Sequence, residues 1–245
     1  MRRLTLTSVL ALLALATPAC AQKSDEEARY GTARALLVRS IGDYAATIGE
    51  PADPRVLKAM GAVPRHLFVP PGLRGEAYND YPLSIGEGQT ISQPSLVALM
   101  THLLRPKPGD VILEVGTGSG YQAAILSSLV ARVYSIEIVE PLAREANGRL
   151  EDLGYSNVTV RQGDGYAGWP AYAPFDGIIV TAGAERIPAP LLAQLKPGGR
   201  MVIPLGPSDD QQLVLVAKGS EGRVSQEVLL PVRFVPFTRE TERRN

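Results

Sequence analysis

The sequence has few of the residues that build metal centres, disulfides or base-stacking surfaces. Its 245 residues include one cysteine and two histidines, and aromatic residues make up 6%. A single cysteine excludes an internal disulfide framework and a cysteine-rich zinc site, and His66 and His102 leave little material for a histidine centre. Aromatic side chains are too sparse for a surface on which bases stack. We therefore expect no bound metal.

An excess of charge of one sign is also missing. The chain has 25 basic and 25 acidic residues, a formal net charge of zero, and no basic block. Because affinity for nucleic acid rests on clustered lysine and arginine, we expect no nucleic-acid partner. Apolar residues make up 45% of the chain, a share typical of a folded domain rather than a disordered one.

The first twenty-one residues have the layout of a secretory signal. Arg2 and Arg3 precede an almost entirely apolar run over residues 4–16, which is too short for a comfortable membrane span. The Ala-Cys-Ala stretch at 19–21 fits a cleavage site, so we expect residues 1–21 to be removed. Attachment of lipid to Cys20 is the alternative. Cleavage predicts a periplasmic or secreted protein with no stable membrane insertion after processing.

The rest of the chain divides into a helical part and an alternating part. Residues 22–31 are polar and predict a flexible tether. Residues 32–49 and 54–60 predict two helices from their apolar spacing and end signals, and residues 64–93 predict a loop rich in glycine and proline. We expect residues 32–108 to form an N-terminal helical cap without a sheet of its own.

From residue 109 onward, predicted strands and helices alternate. Apolar runs predict strands at 111–115, 133–137, 158–160, 177–180 and 201–203, with a turn at 196–200 before the last. This alternation predicts a doubly wound, mostly parallel α/β sheet of Rossmann-like type. Residues 212–217 and 228–235 predict an antiparallel hairpin at its edge. We expect residues 109–245 to be the cofactor-binding core of one domain that spans residues 32–245.

A glycine-rich loop follows the first strand of this core. Glu114 is followed by Gly116, Thr117 and Gly118, where glycines allow a ligand to approach the backbone closely. The carboxyl end of the first strand is where nucleotide-like ligands bind in such sheets. A strand-to-helix turn without a ligand is the alternative. Glu137, at the end of the second strand, is placed to accept hydrogen bonds from two ribose hydroxyls.

The surroundings of this loop favour S-adenosylmethionine over a nicotinamide cofactor. The spacing differs from the G-x-G-x-x-G of dinucleotide sites, and Glu114 would repel a pyrophosphate but suits a sulfonium or ammonium group. Asp164 and Gly165 follow the third strand, at the same edge of the sheet, where they can accept a hydrogen bond from an adenine amino group.

Further motifs carry a resemblance to a known family. They are LFVP at 67–70, AYND at 77–80, IGEGQTISQP at 85–94, LEVGTGSGYQ at 113–122, GDG at 163–165, APFD at 173–176, QLKPGGR at 194–200 and FVP at 234–236. Over about residues 52–238 the chain resembles the protein-L-isoaspartate O-methyltransferase family. The resemblance implies methyl transfer from S-adenosylmethionine to the free α-carboxylate of L-isoaspartyl residues in damaged proteins and peptides. The methyl ester would then cyclise to a succinimide.

The resemblance also implies roles for individual residues. Ser92 matches the active-site serine, and the residues that match its surroundings as substrate contacts are Thr90, Ile91, Gln93 and Pro94. The residues that match the family's cofactor contacts are Gly116, Gly118, Glu137, Asp164 and Gly165, and Thr238 matches a threonine that approaches the site in some members. Glu114 and Thr117, beside the loop glycines, are further candidates for cofactor contact. Asp80 is a candidate for the substrate cleft or for a turn, and Ser92 is also placed to cap the helix that follows it. The stretch at 181–184 and the signal-like segment depart from the family pattern.

Two other functions remain open from the sequence. One is a different S-adenosylmethionine-dependent carboxyl or small-molecule methyltransferase, and the other is a cofactor-binding module without catalysis. The sequence does not identify preferred protein substrates, and we take a monomer as the default expectation.

Overall fold

The computed structural model describes residues 18–47 and 52–239 of the chain. The helices are α1 (Pro18–Thr47), α2 (Pro54–Ala62), α3 (Pro94–Leu104), α4 (Tyr121–Ser127), α5 (Glu140–Asp152) and α6 (Ala189–Gln194). The strands are β1 (Leu83–Gly86), β2 (Gln89–Ile91), β3 (Val111–Val115), β4 (Arg132–Glu137), β5 (Val158–Gln162), β6 (Phe175–Val180), β7 (Leu195–Leu205), β8 (Gln211–Lys218) and β9 (Val224–Val232). Most of residues 1–21 lie outside the described part, so the predicted signal segment is not tested there.

A seven-stranded sheet forms the centre of the molecule. Its strand order is β5-β4-β3-β6-β7-β8-β9; β3 to β7 pair in parallel, and β8 and β9 add antiparallel strands at one edge. The predicted doubly wound sheet with a C-terminal hairpin is confirmed. From β3 the chain adds strands β4 and β5 on one side, and then β6 and β7 on the other. A crevice therefore opens at the carboxyl end of β3, between β4 and β6. Sheets of this kind bind ligands in such a crevice.

Both faces of the sheet are buried. Ile112 of β3 packs into an apolar cluster with α2, α3 and α4, whereas its neighbour Leu113 packs into a second cluster with Leu191 of α6. Successive residues of a strand point to opposite faces, so β3, β4, β6 and β7 each contribute to both layers. This explains why these strands read as continuous apolar runs.

The helical part begins earlier than the sequence pattern predicts. Residues 22–31 belong to α1 and are helical, where a tether was expected. The ring of Tyr30 stacks on buried His66 at 4.0 Å between centroids, and His66 Nε2 lies 3.3 Å from a carboxylate oxygen of Glu27. These contacts with the rest of the cap, together with buried Leu37 and Ile41, explain why a polar segment is helical here.

The expectation that the cap has no sheet of its own is wrong. β1 and β2 form a two-stranded antiparallel sheet, joined by Gly86, Glu87 and Gly88, which have φ angles of 90°, 54° and 68°. Positive φ is easily adopted by glycine, so the two glycines allow this tight connection. The hairpin explains part of the GQTISQP motif, because its residues 89–91 form β2 and lead directly to Ser92.

Two smaller boundaries also differ from the predictions. Residues 196–200, expected as a turn, lie within β7, whose pairing with β6 is irregular between Phe175 and Gly177. The residue that caps α3 is Gln93 rather than Ser92. In residues 18–47 and 52–239, no helix combines the length and the apolar character needed to cross a membrane.

Candidate active site

The glycine loop after β3 forms the floor of a cavity at the switch point of the sheet. Gly116, Gly118 and Gly120 have φ angles of 96°, 53° and 88°. A Cβ atom at Gly116 would overlap the hydroxyl of Thr181, which donates a 2.6 Å hydrogen bond to the Gly116 carbonyl. The space above the loop, counted together with its open mouth, is about 790 Å³.

Glu137, the expected ribose-binding residue, ties this loop to the next strand. One carboxylate oxygen accepts a 2.8 Å hydrogen bond from the Gly118 amide, and the other accepts a 2.9 Å bond from the Val139 amide. The residue lines the cavity. Since each carboxylate oxygen has two lone pairs, both oxygens keep an acceptor position for ligand hydroxyls.

A chain of hydroxyl groups runs beneath the loop. Thr117 lines the cavity, and its hydroxyl pairs with that of Ser135 at 2.6 Å. Ser135 in turn donates to the Glu114 carboxyl group. Glu114 is fully buried and does not line the cavity, so the structure does not bring it to the ligand side where the sequence analysis placed it. Its place is below the loop, where it orients Ser135.

Burial changes the ionisation of Glu114. Loss of solvent, with a smaller contribution from the negative charge of Glu137, raises the pKa of Glu114 from 4.5 to about 8. The carboxyl group is therefore neutral at pH 7 and can act as a hydrogen-bond donor as well as an acceptor.

The predicted adenine side of the cavity is only partly assembled as expected. Gly165 and Thr238 line the cavity, and a Cβ atom at Gly165 would overlap the side chain of Val115. Asp164 does not line it. Its carboxylate accepts a 2.8 Å hydrogen bond from the Tyr166 amide and lies 3.5 Å from Arg239.

Ser92 lies where this inner cavity meets a second, wider one. The outer groove encloses about 3090 Å³ including open solvent and is bordered by α1, α3 and β9. Thr90, Ser92, Thr181 and Val235 line both spaces. Ser92 precedes the cap of α3, and none of the hydrogen bonds among the described residues uses its hydroxyl, so this group can serve a ligand.

Other predicted substrate residues build the start of α3 beside Ser92. The carboxylate of Asp80 accepts hydrogen bonds from the Ser95 amide at 2.8 Å and from Gln93 Nε2 at 3.1 Å. Pro94 is the first residue of the helix, and buried Ile91 ends β2 and lines the inner cavity. Asp80 also lines the outer groove.

The sequence analysis missed a buried arginine that holds the Ser92 backbone. The Arg65 side chain is fully buried, and its guanidinium donates to the carbonyls of Ala77 and Ser92, each at 2.8 Å. The guanidinium carbon also lies 4.8 Å from the ring centroid of Tyr121. The sequence contained one signal for this role, namely a basic residue two positions before the apolar LFVP motif. Tyr121, Gln122 and Thr181 also line the inner cavity without having been predicted.

The comparisons with known proteins agree on one family. A family model described as protein-L-isoaspartate(D-aspartate) O-methyltransferase matches residues 44–242. The protein-L-isoaspartate O-methyltransferase 2 of Syntrophobacter fumaroxidans is 56% identical over 236 residues, which cover 94% of this chain and 95% of that relative. A protein-L-isoaspartate O-methyltransferase 1 from Cupriavidus necator is 52% identical over 94% of this chain and 90% of its own length. The chain belongs to the protein-L-isoaspartate O-methyltransferase family.

Solved structures support the same assignment. A structure of a protein-L-isoaspartate O-methyltransferase superposes with a TM-score of 0.74 at 30% identity, covering 83% of this chain and 65% of the other. A Plasmodium falciparum protein in complex with S-adenosyl-L-homocysteine superposes with a TM-score of 0.71 at 24% identity and shows the shared fold. The family, the fold class and the enzyme class expected from the motifs are confirmed.

Replacement of Glu114 by glutamine tests the buried neutral carboxyl group of this methyltransferase. Between its ordinary pKa of 4.5 and about 8, the folded protein holds a proton that the unfolded chain has released. Stability from this group is therefore fully present below pH 4.5 and falls as pH rises to 8, by at most about 1.4 kcal/mol per unit. Urea unfolding between pH 5 and 8 should show a smaller fall for Glu114→Gln than for the wild type.

The control for this experiment is Glu145→Gln, at an exposed position of α5. It should keep the wild-type pH profile. Parallel profiles for the wild type and Glu114→Gln would contradict a neutral carboxyl group beneath the loop.

Proposed function

We propose that the protein transfers the methyl group of S-adenosylmethionine to the free α-carboxylate of L-isoaspartyl residues in damaged proteins and peptides. The observation that carries this proposal is the position of Ser92 at the junction of two spaces. On one side is the cavity above the glycine loop, and on the other is the open groove bordered by α1, α3 and β9. Methyl transfer between a small donor and a protein acceptor requires such a junction.

The inner cavity fits S-adenosylmethionine by the chemistry of its lining. The Glu137 carboxylate offers two oriented acceptors to a ribose diol, and the glycines of the loop leave room for the ligand to approach the backbone. Gly165 and Thr238 contact the adenine side, with Asp164 behind them. Among the described residues, Glu137 is the only carboxylate that lines the cavity.

The reaction needs orientation more than acid–base catalysis. A carboxylate with an ordinary pKa of about 4 is already ionised at neutral pH, and a sulfonium methyl group is already electrophilic. One carboxylate oxygen forms a bond to the methyl carbon while the carbon–sulfur bond breaks and its electron pair stays on sulfur. In-line alignment of oxygen, carbon and sulfur can supply up to roughly 7–11 kcal/mol of the barrier reduction.

Ser92 is the residue that provides this alignment. Its hydroxyl donates a hydrogen bond to one oxygen of the substrate carboxylate and leaves the other oxygen free to attack. The buried guanidinium of Arg65 holds the Ser92 carbonyl at 2.8 Å, and its positive charge favours an anion at this place. Thr90, which lines both spaces, contacts the same substrate. The methyl ester that leaves the site cyclises to a succinimide.

The substrate assignment is tested with a pair of matched peptides. One peptide contains an L-isoaspartyl residue, and its twin contains an ordinary L-aspartyl residue at the same position. Transfer of labelled methyl from S-adenosylmethionine is expected to the first peptide at a rate at least tenfold higher than to the second. Equal labelling would exclude the repair function, and cofactor binding without labelling of either peptide would favour a non-catalytic module.

Replacement of Ser92 by alanine tests the catalytic assignment. We expect kcat to fall at least a hundredfold because the substrate carboxylate loses its orienting donor, a contribution of about 2.7 kcal/mol at this fold-change. The dissociation constant of S-adenosylhomocysteine, measured by calorimetry, should change less than threefold. Ser84→Ala, on the neighbouring exposed strand β1, is the matched control and should keep wild-type kcat. Similar losses in turnover and cofactor affinity would contradict the proposed role.

We also propose that residues 1–21 direct export and that the working protein is a monomer whose single domain includes residues 22–31 of α1. Contacts of α1 with the cap begin with Glu27 and Tyr30, so cleavage after Ala21 leaves them intact.

Cell fractionation followed by N-terminal sequencing tests the export proposal. The protein expressed with its full N-terminal segment in a bacterial host is expected outside the cytoplasm, with a mature chain that starts at Gln22. A mature chain that starts at a lipid-modified Cys20 would replace this cleavage by lipid attachment, and an intact N-terminus in the cytoplasm would exclude export.

A further inference from the structure

Gln122 has a buried oxygen that no group of the protein satisfies. The residue is the second of α4, is 6% exposed, and lines the inner cavity together with Ser92 and Val97. Its Oε1 atom is buried and accepts no hydrogen bond from any described residue. An orphaned acceptor of this kind costs about 1–3 kcal/mol, and buried polar groups in native proteins are nearly always partnered.

The orientation of the Gln122 amide is set by its other end. Nε2 donates a 2.9 Å hydrogen bond to the hydroxyl of Thr101, and that hydroxyl donates its single proton to the Val97 carbonyl at 2.7 Å. Thr101 can therefore only accept from Gln122, so the amide cannot turn over without losing this bond. The protein thus holds an oxygen, rather than an NH₂ group, at the orphaned position.

Because Gln122 lines the inner cavity, a donor on a ligand bound there would satisfy this oxygen. Glu137, at the end of β4, holds the ribose, and Gly165 lies on the adenine side. Gln122 lies against α3, on the wall that Val97 and Ser92 share, and the reactive methyl group must face Ser92. The amino-acid arm of the cofactor leaves the same sulfur atom, and its α-ammonium group has three N–H donors and no acceptor.

We propose that Gln122 Oε1 accepts a hydrogen bond from the α-ammonium group of the bound cofactor, making Gln122 a cofactor-binding residue. This inference rests on S-adenosylmethionine being the ligand of the inner cavity. Hydrogen bonds to charged groups contribute about 1.5–3 kcal/mol, so loss of this one corresponds to a tenfold to hundredfold weaker affinity. The buried Gln122–Thr101–Val97 chain orients the acceptor before the ligand arrives.

The test measures by calorimetry how the wild type, Gln122→Leu and the control variant Gln89→Leu bind two ligands. The ligands are S-adenosylhomocysteine and its analogue in which hydrogen replaces the α-ammonium group. We expect Gln122→Leu to bind S-adenosylhomocysteine at least tenfold more weakly than the wild type, but the deaminated analogue less than threefold more weakly. Gln89→Leu, which changes a second glutamine of the cavity wall, should not discriminate between the ligands.

The thermal stability of the ligand-free protein separates binding from a structural role. Leucine removes an unsatisfied buried oxygen, and Thr101 keeps its bond to Val97, so Gln122→Leu should unfold within about 2 °C of the wild type. An equal loss of affinity for both ligands, or no loss for either, would overturn the proposal. Wild-type protein that binds neither ligand would instead contradict the cofactor assignment itself.

Discussion

The hydrogen bonds of the Glu137 carboxylate hold together the glycine loop and the neighbouring turn at the candidate active site. One oxygen binds the Gly118 amide of the glycine loop, and the other binds the Val139 amide that leads into α5. The loop after β3 and the turn after β4 are thereby kept at a constant separation.

Ser92 owes its position to contacts that are distant along the chain. The β1–β2 hairpin brings the backbone to the mouth of the cavity, Asp80 binds the start of α3, and Arg65 binds the Ser92 carbonyl itself. These groups come from three separate segments. Because several bonds converge on a short stretch, the serine hydroxyl can stay free for a substrate while its backbone is held rigidly.

The charges of the site are divided between its surface and its interior. Glu114 is buried beneath the loop with a pKa raised to about 8, whereas Glu137 faces the cavity. Buried Arg65 lies on the side of Ser92, where an anionic substrate is expected. A neutral Glu114 does not repel an anion, and the positive charge of Arg65 attracts one. Both effects favour a carboxylate at the junction of the two spaces.

The sequence by itself determined the sheet, the glycine loop and the identity of the family. Strands such as β3 are apolar on both faces, and motifs such as GQTISQP are local, so both can be read without knowing any contacts. Only the tertiary structure showed that residues 22–31 are helical, since the contacts of Tyr30 and Glu27 with His66 outweigh the polar composition. It also decided that Glu114 lies beneath the loop rather than in the cavity, that Gln122 lines the cavity, and that Arg65 binds the Ser92 carbonyl. Burial and hydrogen-bond partners come from residues far apart in the chain, and no local pattern records them.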